Sequence, residues 1–134
     1  MTRSLRKEAK VDLYDWAEVS SEASRFENLV ALHLLKAVRI WKARGEGDIK
    51  LCYLRDKEKR EVDFVLVEKE KPFCLVECKT TEENAAPALG YFQRKLAVPV
   101  AIQLLHKKGV FKKINADGFL QWIISADRWL GMLP

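Results

Sequence analysis

The sequence predicts a single α/β domain in which helices flank a mixed β-sheet. The chain has 134 residues, of which 49% are apolar, and this is enough for one hydrophobic core of ordinary size. A long helical pattern precedes three short strand-like segments joined by charged connectors, and a second helical pattern separates these from a fourth strand. Strands joined by short connectors pair antiparallel, whereas a strand reached through a helix can add parallel. The expected order of elements is therefore α-β-β-β-α-β.

One domain is expected over residues 1–134. Within it, residues 1–20 are predicted as a lead-in arm, with a short strand or extended segment at residues 10–16. Residues 20–106 are predicted as the core, and residues 107–134 as a C-terminal extension.

The clearest helical pattern spans residues 25–43. The serine-rich residues 20–24 supply capping side chains before it, and the glycine-containing residues 44–48 end it. Its apolar residues recur at helical spacing: Phe26, Leu29, Val30, Leu34, Ala37, Val38 and Trp41.

Three strand-like segments follow this helix, at residues 49–54, 61–67 and 73–79. The connectors between them, residues 55–59 and 68–72, are short and highly charged, which favours hairpins.

The rest of the chain alternates again between helical and strand-like segments. A helix is predicted at residues 83–96, with Pro87 tolerated in its first turns. After it we expect a buried strand at residues 98–105, a basic turn at 107–109, a strand at 110–114, a closing helix at 117–125 and a docked apolar tail at 126–134.

Charge and cysteine content indicate the setting of the protein. A formal net charge of +5 is compatible with a phosphate-bearing partner without requiring one. Cys52, Cys74 and Cys78 form no C-x-x-C pair, so we interpret them as reduced apolar residues of an intracellular protein. The N-terminus lacks an apolar signal segment, and the longest apolar run, residues 96–105, is too short to span a bilayer. We expect a cytoplasmic protein with no membrane partner.

Two of the predicted strands carry charged residues beside apolar neighbours. Strand alternation places Asp63 on the same face as Val65 and opposite Val62. It also places Glu77 and Lys79 at the end of one apolar face of the next strand. Burial of an unpaired carboxylate costs roughly several kcal/mol, so such groups are normally paired, hydrogen-bonded or bound to a metal.

A third acid, Glu27, lies on the first predicted helix. It is in phase with Val30, Leu34 and Val38, so its carboxylate is directed towards an apolar face. We therefore expect three acids and Lys79 to converge.

With Glu on the first helix, Asp on the second strand and Glu-x-Lys on the third, the chain resembles the PD-(D/E)xK nuclease superfamily. That resemblance implies a restriction-endonuclease-like core, which has the same order of elements. More closely, residues 10–16, 26–30, 61–65 and 76–79 resemble the nuclease-like domain of unknown function that follows the ATPase module in many prokaryotic AAA-type ATPases. Val62 stands where the motif that names the superfamily has proline.

The resemblance implies a metal-dependent phosphodiesterase that acts on DNA as an endonuclease, with Mg²⁺ or Mn²⁺ as its cofactor. Asp63 and Glu77 would bridge the metal, and the backbone carbonyl of Cys78 would supply a further ligand. Lys79 would orient the attacking water, while Glu27 would hold a metal-bound water or complete a second metal site. The sequence contains no G-x-x-x-x-G-K-[ST] loop, so an ATPase module would act in cis within a longer chain or in trans.

Each site residue also has an alternative interpretation. Glu27 follows Ser24 at the spacing of a helix capping box. Glu77 and Lys79 fit a surface ion pair, worth roughly 0 to 1 kcal/mol. Asp63 is consistent with a structural acid whose side chain accepts hydrogen bonds from the backbone of a hairpin.

Other polar and aromatic residues favour structural roles. His33 is predicted to pack on its helix and His106 to lie in a turn. Some relatives carry Gln followed by Tyr on the second helix, whereas here Tyr91 precedes Gln93. Core or interface anchors are predicted for the four tryptophans, Trp16, Trp41, Trp122 and Trp129. The basic clusters are predicted as solvated faces, or as guides for a DNA backbone if they flank the acids: residues 57–60, 107–108 and 112–113.

The sequence is also compatible with two other functions. The first is a catalytically silent nucleic-acid-binding or interaction module that serves an ATPase. The second is a dimerisation unit, a homodimer held through an exposed patch formed by Trp129, Leu130 and Met132.

Overall fold

The structure, a computed structural model, describes residues 5–8 and 21–134. The predicted lead-in segment at residues 10–16 and Trp16 lie outside the described residues. Within them the elements are β1 (Leu5–Glu8), α1 (Glu22–Ala43), β2 (Ile49–Arg55), β3 (Glu61–Glu68), β4 (Lys71–Lys79), α2 (Pro87–Leu96), β5 (Val100–Leu105), β6 (Phe111–Ala116), β7 (Phe119–Ser125) and α3 (Ala126–Leu130).

The strands form one mixed sheet in the order β1-β2-β3-β4-β5-β7-β6. Strands β2, β3 and β4 pair antiparallel through short connections, and β1, which precedes α1 in the chain, pairs antiparallel with β2. Strand β5, reached through α2, pairs parallel with β4, and β7 pairs parallel with β5. The predicted α/β class and the predicted order α-β-β-β-α-β are therefore confirmed.

Each face of the sheet packs against a helix. On one face, α1 contributes Phe26, Val30 and Leu34 to a core that includes Phe64 and Val76 of the central strands. The opposite face packs against α2 through a second cluster, in which Val65 and Leu75 contact Leu89 and Phe92. Because β3 and β4 are covered on both sides, their sequences are almost continuously apolar.

Helix α1 begins three residues earlier than predicted. Ser21 is its N-cap, and the Ser21 hydroxyl oxygen accepts a hydrogen bond from the Ser24 backbone N–H at 3.1 Å. The helix therefore starts at Glu22, and Ser24 already lies in the first turn.

Helix α2 is shorter than predicted, because residues 83–86 form a loop. Pro87 occupies the first turn of the helix, where its missing N–H costs no hydrogen bond. Gln103 of β5 holds this loop, because its side-chain oxygen accepts a hydrogen bond from the Ala86 N–H at 2.9 Å.

The prediction of a closing helix at residues 117–125 was wrong. Asp117 and Gly118 both have positive φ, 52° and 82°, and they join β6 to β7 as a tight hairpin. An Asp-Gly pair favours this two-residue turn because its backbone twist matches that of the flanking strands. The apolar residues after the turn therefore form a buried strand rather than a helical face.

The C-terminal tail docks on the α1 side of the sheet, as predicted. Leu130 of α3 is buried in the core, and Trp122 and Trp129 pack partly buried against the same cluster. The expected dimerisation patch is therefore incomplete, since Leu130 is inside the protein and Met132 alone is strongly exposed at 67%.

None of the three cysteines forms a disulfide bond. None of the helices in the described part of the chain is long and apolar enough to cross a membrane.

Candidate functional site

The candidate site lies where β3 and β4 separate. Their regular pairing ends at Phe64 and Val76, and side chains replace the backbone ladder beyond that point. The Cys78 N–H donates to Asp63 Oδ2 at 2.8 Å, and the Asp63 N–H donates to Glu77 Oε1 at 3.1 Å. Each acid is thus held by the backbone of the neighbouring strand, which fixes both carboxyl groups in the gap.

The alternation predicted for β3 fails next to Asp63. Val62 packs with Val65 on the α2 face, whereas Phe64 packs on the α1 face, so Val62 does not lie opposite Val65. A register shift in the β2–β3 pairing, between Cys52 and Leu54, accompanies the change. Bulges of this kind redirect side chains and end regular pairing, which is what positions Asp63 here.

The carboxyl groups of Asp63 and Glu77 are neighbours in this gap, and each perturbs the pKa of the other. Glu77 is buried, with 8% of its surface exposed. Burial raises the pKa of both acids, and the charge of Asp63 raises the pKa of Glu77 further. The two carboxylates therefore share a site that does not hold two negative charges easily.

Lys79 stands beside this pair. Its Nζ lies 3.7 Å from Glu77 Oε2, and 40% of its side chain is exposed. Its positive charge lowers the pKa of both acids, but burial outweighs it. The ion pair predicted as an alternative is present, and it leaves the lysine accessible from solvent.

Glu27 approaches the same place from α1. Partial burial, together with the charges of Asp63 and Glu61, raises the pKa of Glu27 to about 7. Burial raises the pKa of the Cys78 thiol, and so do Asp63, Glu27 and Glu77, in that order. All three predicted acids are thus near enough to the half-buried Cys78 thiol to act on it electrostatically.

The capping alternative for Glu27 was wrong. A capping box needs Ser24 at the N-cap, but Ser21 holds that position and Ser24 lies inside the first turn. Glu27 is therefore one turn further into the helix, next to Phe26 and facing the strand ends.

The donor set fits a hard divalent cation with an incomplete protein shell. Across residues 5–8 and 21–134, no three His, Cys, Asp or Glu side chains are arranged to hold a metal ion. Mg²⁺ commonly takes only one or two carboxylates and keeps several waters, and Asp63 with Glu77 supplies such a pair. A cation between them would relieve the repulsion by which the charge of Asp63 raises the pKa of Glu77. The metal-ligand role of the Cys78 carbonyl stays a prediction.

Sequence reasoning missed Glu61. Its charge raises the pKa of both Glu27 and Asp63, so it adds negative potential at the mouth of the site. The sequence did offer a signal, because Glu61 lies two residues before Asp63 on a predicted strand, the spacing of side chains on one face.

His106 was predicted as a turn residue, and it does follow β5 directly. Its backbone N–H donates a hydrogen bond to the Lys79 carbonyl at 3.1 Å. Its ring stacks on the Phe26 ring, with 4.8 Å between the centroids. The histidine therefore joins the end of β4 to the first helix beside the acids.

A cavity of about 620 Å³ opens next to these residues. It lies between α1, the end of β5 and α3, and its walls include Phe26, Leu29, His33 and His106. His33 therefore lines an open space rather than a packed interface.

Gln93 belongs to the scaffold. It is 1% exposed, its Nε2 donates to the Leu120 carbonyl at 2.8 Å, and its Oε1 accepts from Gln121 at 3.1 Å. These bonds attach α2 to β7, which gives the residue a structural role.

The basic clusters are partly neutralised. Lys107 and Lys112 both bind Glu83, at 2.6 and 2.8 Å, and these contacts lower the pKa of Glu83 to about 2. In the β2–β3 hairpin, Arg60 pairs with Asp56 at 2.7 Å. Neither arrangement requires a ligand.

A family model for a domain of unknown function, DUF4143, matches residues 23–121. This match includes every residue of the candidate site. No curated protein matches the chain. Because the matched region is more than half of the sequence, the chain belongs to the DUF4143 family.

Proposed function

We propose that this chain is a metal-dependent phosphodiesterase that cleaves DNA as an endonuclease. The observation that carries the proposal is the pair of acids, Asp63 and Glu77, whose carboxyl groups are held by backbone N–H groups in the gap between β3 and β4, with Lys79 beside them. Strongly perturbed acids that are fixed in an accessible gap are typical of sites that bind cations or transfer protons. The predicted resemblance to the PD-(D/E)xK nucleases supports the same chemistry.

Asp63 and Glu77 would hold the metal, and Glu27 would support it through a water or a second site. Mg²⁺ or Mn²⁺, when bound, supplies Lewis-acid activation of water and phosphate.

The chain's own residues would position the reactants. Lys79 would orient the water whose oxygen attacks phosphorus, and its ammonium would balance charge that develops on the phosphoryl oxygens. As the new phosphorus–oxygen bond forms, the water releases a proton to solvent; the bond between phosphorus and the leaving oxygen breaks, and that oxygen takes a proton from solvent. The half-exposed position of Lys79 allows such an approach.

The proposed activity is tested with purified protein in Mg²⁺, Mn²⁺ or EDTA, on linear, branched and single-stranded DNA. Cleavage is expected with either metal and not in EDTA, and it should be lost in Asp63→Ala and in Lys79→Ala. Asp48→Asn is the matched control, because Asp48 precedes the β2 end that pairs with Glu68, at the far end of β3 from Asp63. Retained cleavage in Asp63→Ala would contradict the site assignment.

A second candidate is a catalytically silent nucleic-acid-binding or interaction module with the same fold. The observation that favours it is the Glu77–Lys79 ion pair, which neutralises part of the site without a metal. Salt-sensitive DNA binding without metal-dependent turnover would support this function over cleavage.

An ATPase module, in cis or in trans, is the proposed protein partner, on the basis of the predicted resemblance alone. ATP-dependent stimulation of cleavage by such a module would support this pairing. A homodimer is a weaker proposal, because Leu130 of its expected patch is buried.

A further inference from the structure

The edge of the sheet carries an exposed cluster of aromatic and cationic side chains. The rings of Phe111 on β6 and Trp122 on β7 meet at 65° with centroids 5.5 Å apart. The Arg128 guanidinium lies 4.5 Å from the Phe111 ring, and Lys113 Nζ lies 5.6 Å from the Trp122 ring. We name these four residues the Phe111 patch.

Phe111 is not a core residue. It keeps 49% of its surface exposed, and the other exposed large apolar side chains in the described ranges are Leu29 and Met132, neither of them aromatic. An exposed ring flanked by cations offers a stacking surface that core packing does not use.

The patch lies at the same end of the strands as the acids, but Phe111 shares the α1 face with Ile124, whereas Glu77 and Lys79 alternate with Val76 and Cys78 of that face and lie on the opposite one. Strands β4, β5 and β7 run parallel, so Lys79, Leu105 and Ser125 end side by side. Phe111 pairs with Ile124 at this same end. Neighbouring strands are about 4.8 Å apart, and β6 is the third strand from β4, so the two places are at least about 14 Å apart across the sheet. This distance equals about four nucleotides at the rise of stacked DNA, and fewer in an extended strand.

The path between the two places is cationic. Lys107 and Lys108 lie in the turn after β5, and Lys113 with Arg128 belongs to the patch. Within the described part of the chain, Lys108, Lys113 and Arg128 form no salt bridge with a carboxylate. A polyanion therefore matches this edge in charge.

A second copy of the chain matches it less well. Strand β6 is the edge of the sheet, and Lys112 and Lys113 are exposed along it. Lysines on an edge strand oppose pairing with another strand, because two copies would bring like charges together.

We propose that the Phe111 patch binds an unpaired stretch of DNA that leads to the acid site, with a base stacked on Phe111 and phosphates contacting Lys113 and Arg128. The choice of DNA rests on the proposed function. The unpaired state follows from stacking, because the flat face of a base within a duplex is covered by its neighbours. The proposal thus names a substrate class: DNA with a single-stranded segment beside the cleaved bond.

The test measures binding in EDTA, so that cleavage plays no part. A labelled oligothymidylate of about 12 nucleotides is the probe, and a blunt duplex is the comparison. Phe111→Ala is expected to weaken oligothymidylate binding about 5- to 100-fold, because one base loses its stacking partner. Phe111→Trp should retain binding, and Met132→Ala is the control for loss of an exposed apolar side chain.

The salt dependence gives a second, independent measurement. Lys113→Gln should reduce the slope of log K against log salt by about 0.7, the value for one phosphate contact to a single strand. Lys50→Gln, an exposed lysine on β2, should leave the slope unchanged. These two variants keep the test decisive if Phe111→Ala folds poorly.

The outcomes separate this proposal from the cleavage proposal. Phe111-dependent binding without metal-dependent cleavage would support the patch and overturn the nuclease function. Cleavage with oligothymidylate affinity and KM unchanged in Phe111→Ala would overturn the patch alone. A change in self-association in Phe111→Ala, measured by sedimentation and without a change in DNA binding, would overturn it in favour of a second copy.

Discussion

The sheet contains two sets of buried polar side chains, glutamines and acids, that differ in charge. Gln103 on β5 and Glu77 on β4 are partners in the parallel register, and both are buried. Gln103 donates to the carbonyls of Glu82 and Asn84, at 2.8 and 2.9 Å, and accepts from the Ala86 N–H. It is neutral, so these bonds satisfy it.

Glu77 is also hydrogen-bonded, but its bonds do not remove its charge. Its nearest acid is Asp63, whose own pKa is raised, and the Lys79 ammonium is 3.7 Å away and partly in solvent. In the described residues, every buried side-chain nitrogen and oxygen has a hydrogen-bond partner. Hydrogen bonding therefore does not distinguish the glutamines from the acids. What distinguishes them is that the acids can ionise and that their pKa values are raised. We infer that the glutamines hold the scaffold and that the acids are kept for chemistry.

The largest expected effect tests the acid side of this comparison. Asp63→Asn keeps an oxygen that can accept from the Cys78 N–H but removes the charge, so cleavage should fall at least ~100-fold. The midpoint of thermal unfolding should stay the same or rise, because a buried charge has been removed. Initial rates and a melting curve measure the two effects. A large loss of stability would show that Asp63 is a structural residue like Gln103.

The next effect tests the glutamine side. Gln103→Leu removes three hydrogen bonds, so the free energy of unfolding should fall by about 2 to 4 kcal/mol. Urea denaturation measures it, with Asn115→Ala on the exposed side of β6 as the control. An unchanged free energy would mean that the loop at residues 83–86 finds equivalent partners in water.

The elements that sequence predicted well are those set by local pattern. The helical spacing along α1, the charged hairpins and the crossover to β5 are all visible in short windows, and the structure has them. The helix prediction for residues 117–125 was wrong because an apolar run of this length fits both the helical and the strand period. The Asp117–Gly118 turn signal decides in favour of a strand.

The membership of the site stays a prediction, and its geometry could not be read from the sequence. Glu27, Asp63 and Glu77 were chosen from order and phase, and the structure places Asp63 and Glu77 together in the gap between β3 and β4. The break in side-chain alternation at Val62, and the effect of Glu61 on the pKa of Asp63, depend on how β2 pairs with β3. The sequence of either strand alone does not encode that pairing. The buried glutamine bonds likewise join residues that are far apart in the chain.

A smaller effect concerns the metal. If Asp63 and Glu77 bind Mg²⁺, a metal concentration tenfold above Kd should stabilise the folded state by about 1.4 kcal/mol. A thermal shift at pH 8 measures this, because the acids are more fully ionised there than at pH 5. Asp63→Asn should abolish the shift, while Asp48→Asn should keep it. An equal shift in both variants would place the bound cation elsewhere.

The smallest effect is the pH dependence that Glu27 contributes without metal. Its pKa is raised from 4.5 to about 7, so the folded state keeps a proton that the unfolded state releases between these values. Stability therefore falls as pH rises from about 4.5 to 7 and levels off above that range. Part of the Glu27 surface remains in solvent, so solvent screening keeps the change small. Glu27→Gln should flatten the decline in melting temperature between pH 5 and pH 8, and Glu70→Gln, in an exposed turn, is the control. A decline that persists unchanged in Glu27→Gln would assign the whole pH response to Asp63 and Glu77, and would separate the helix acid from the strand pair.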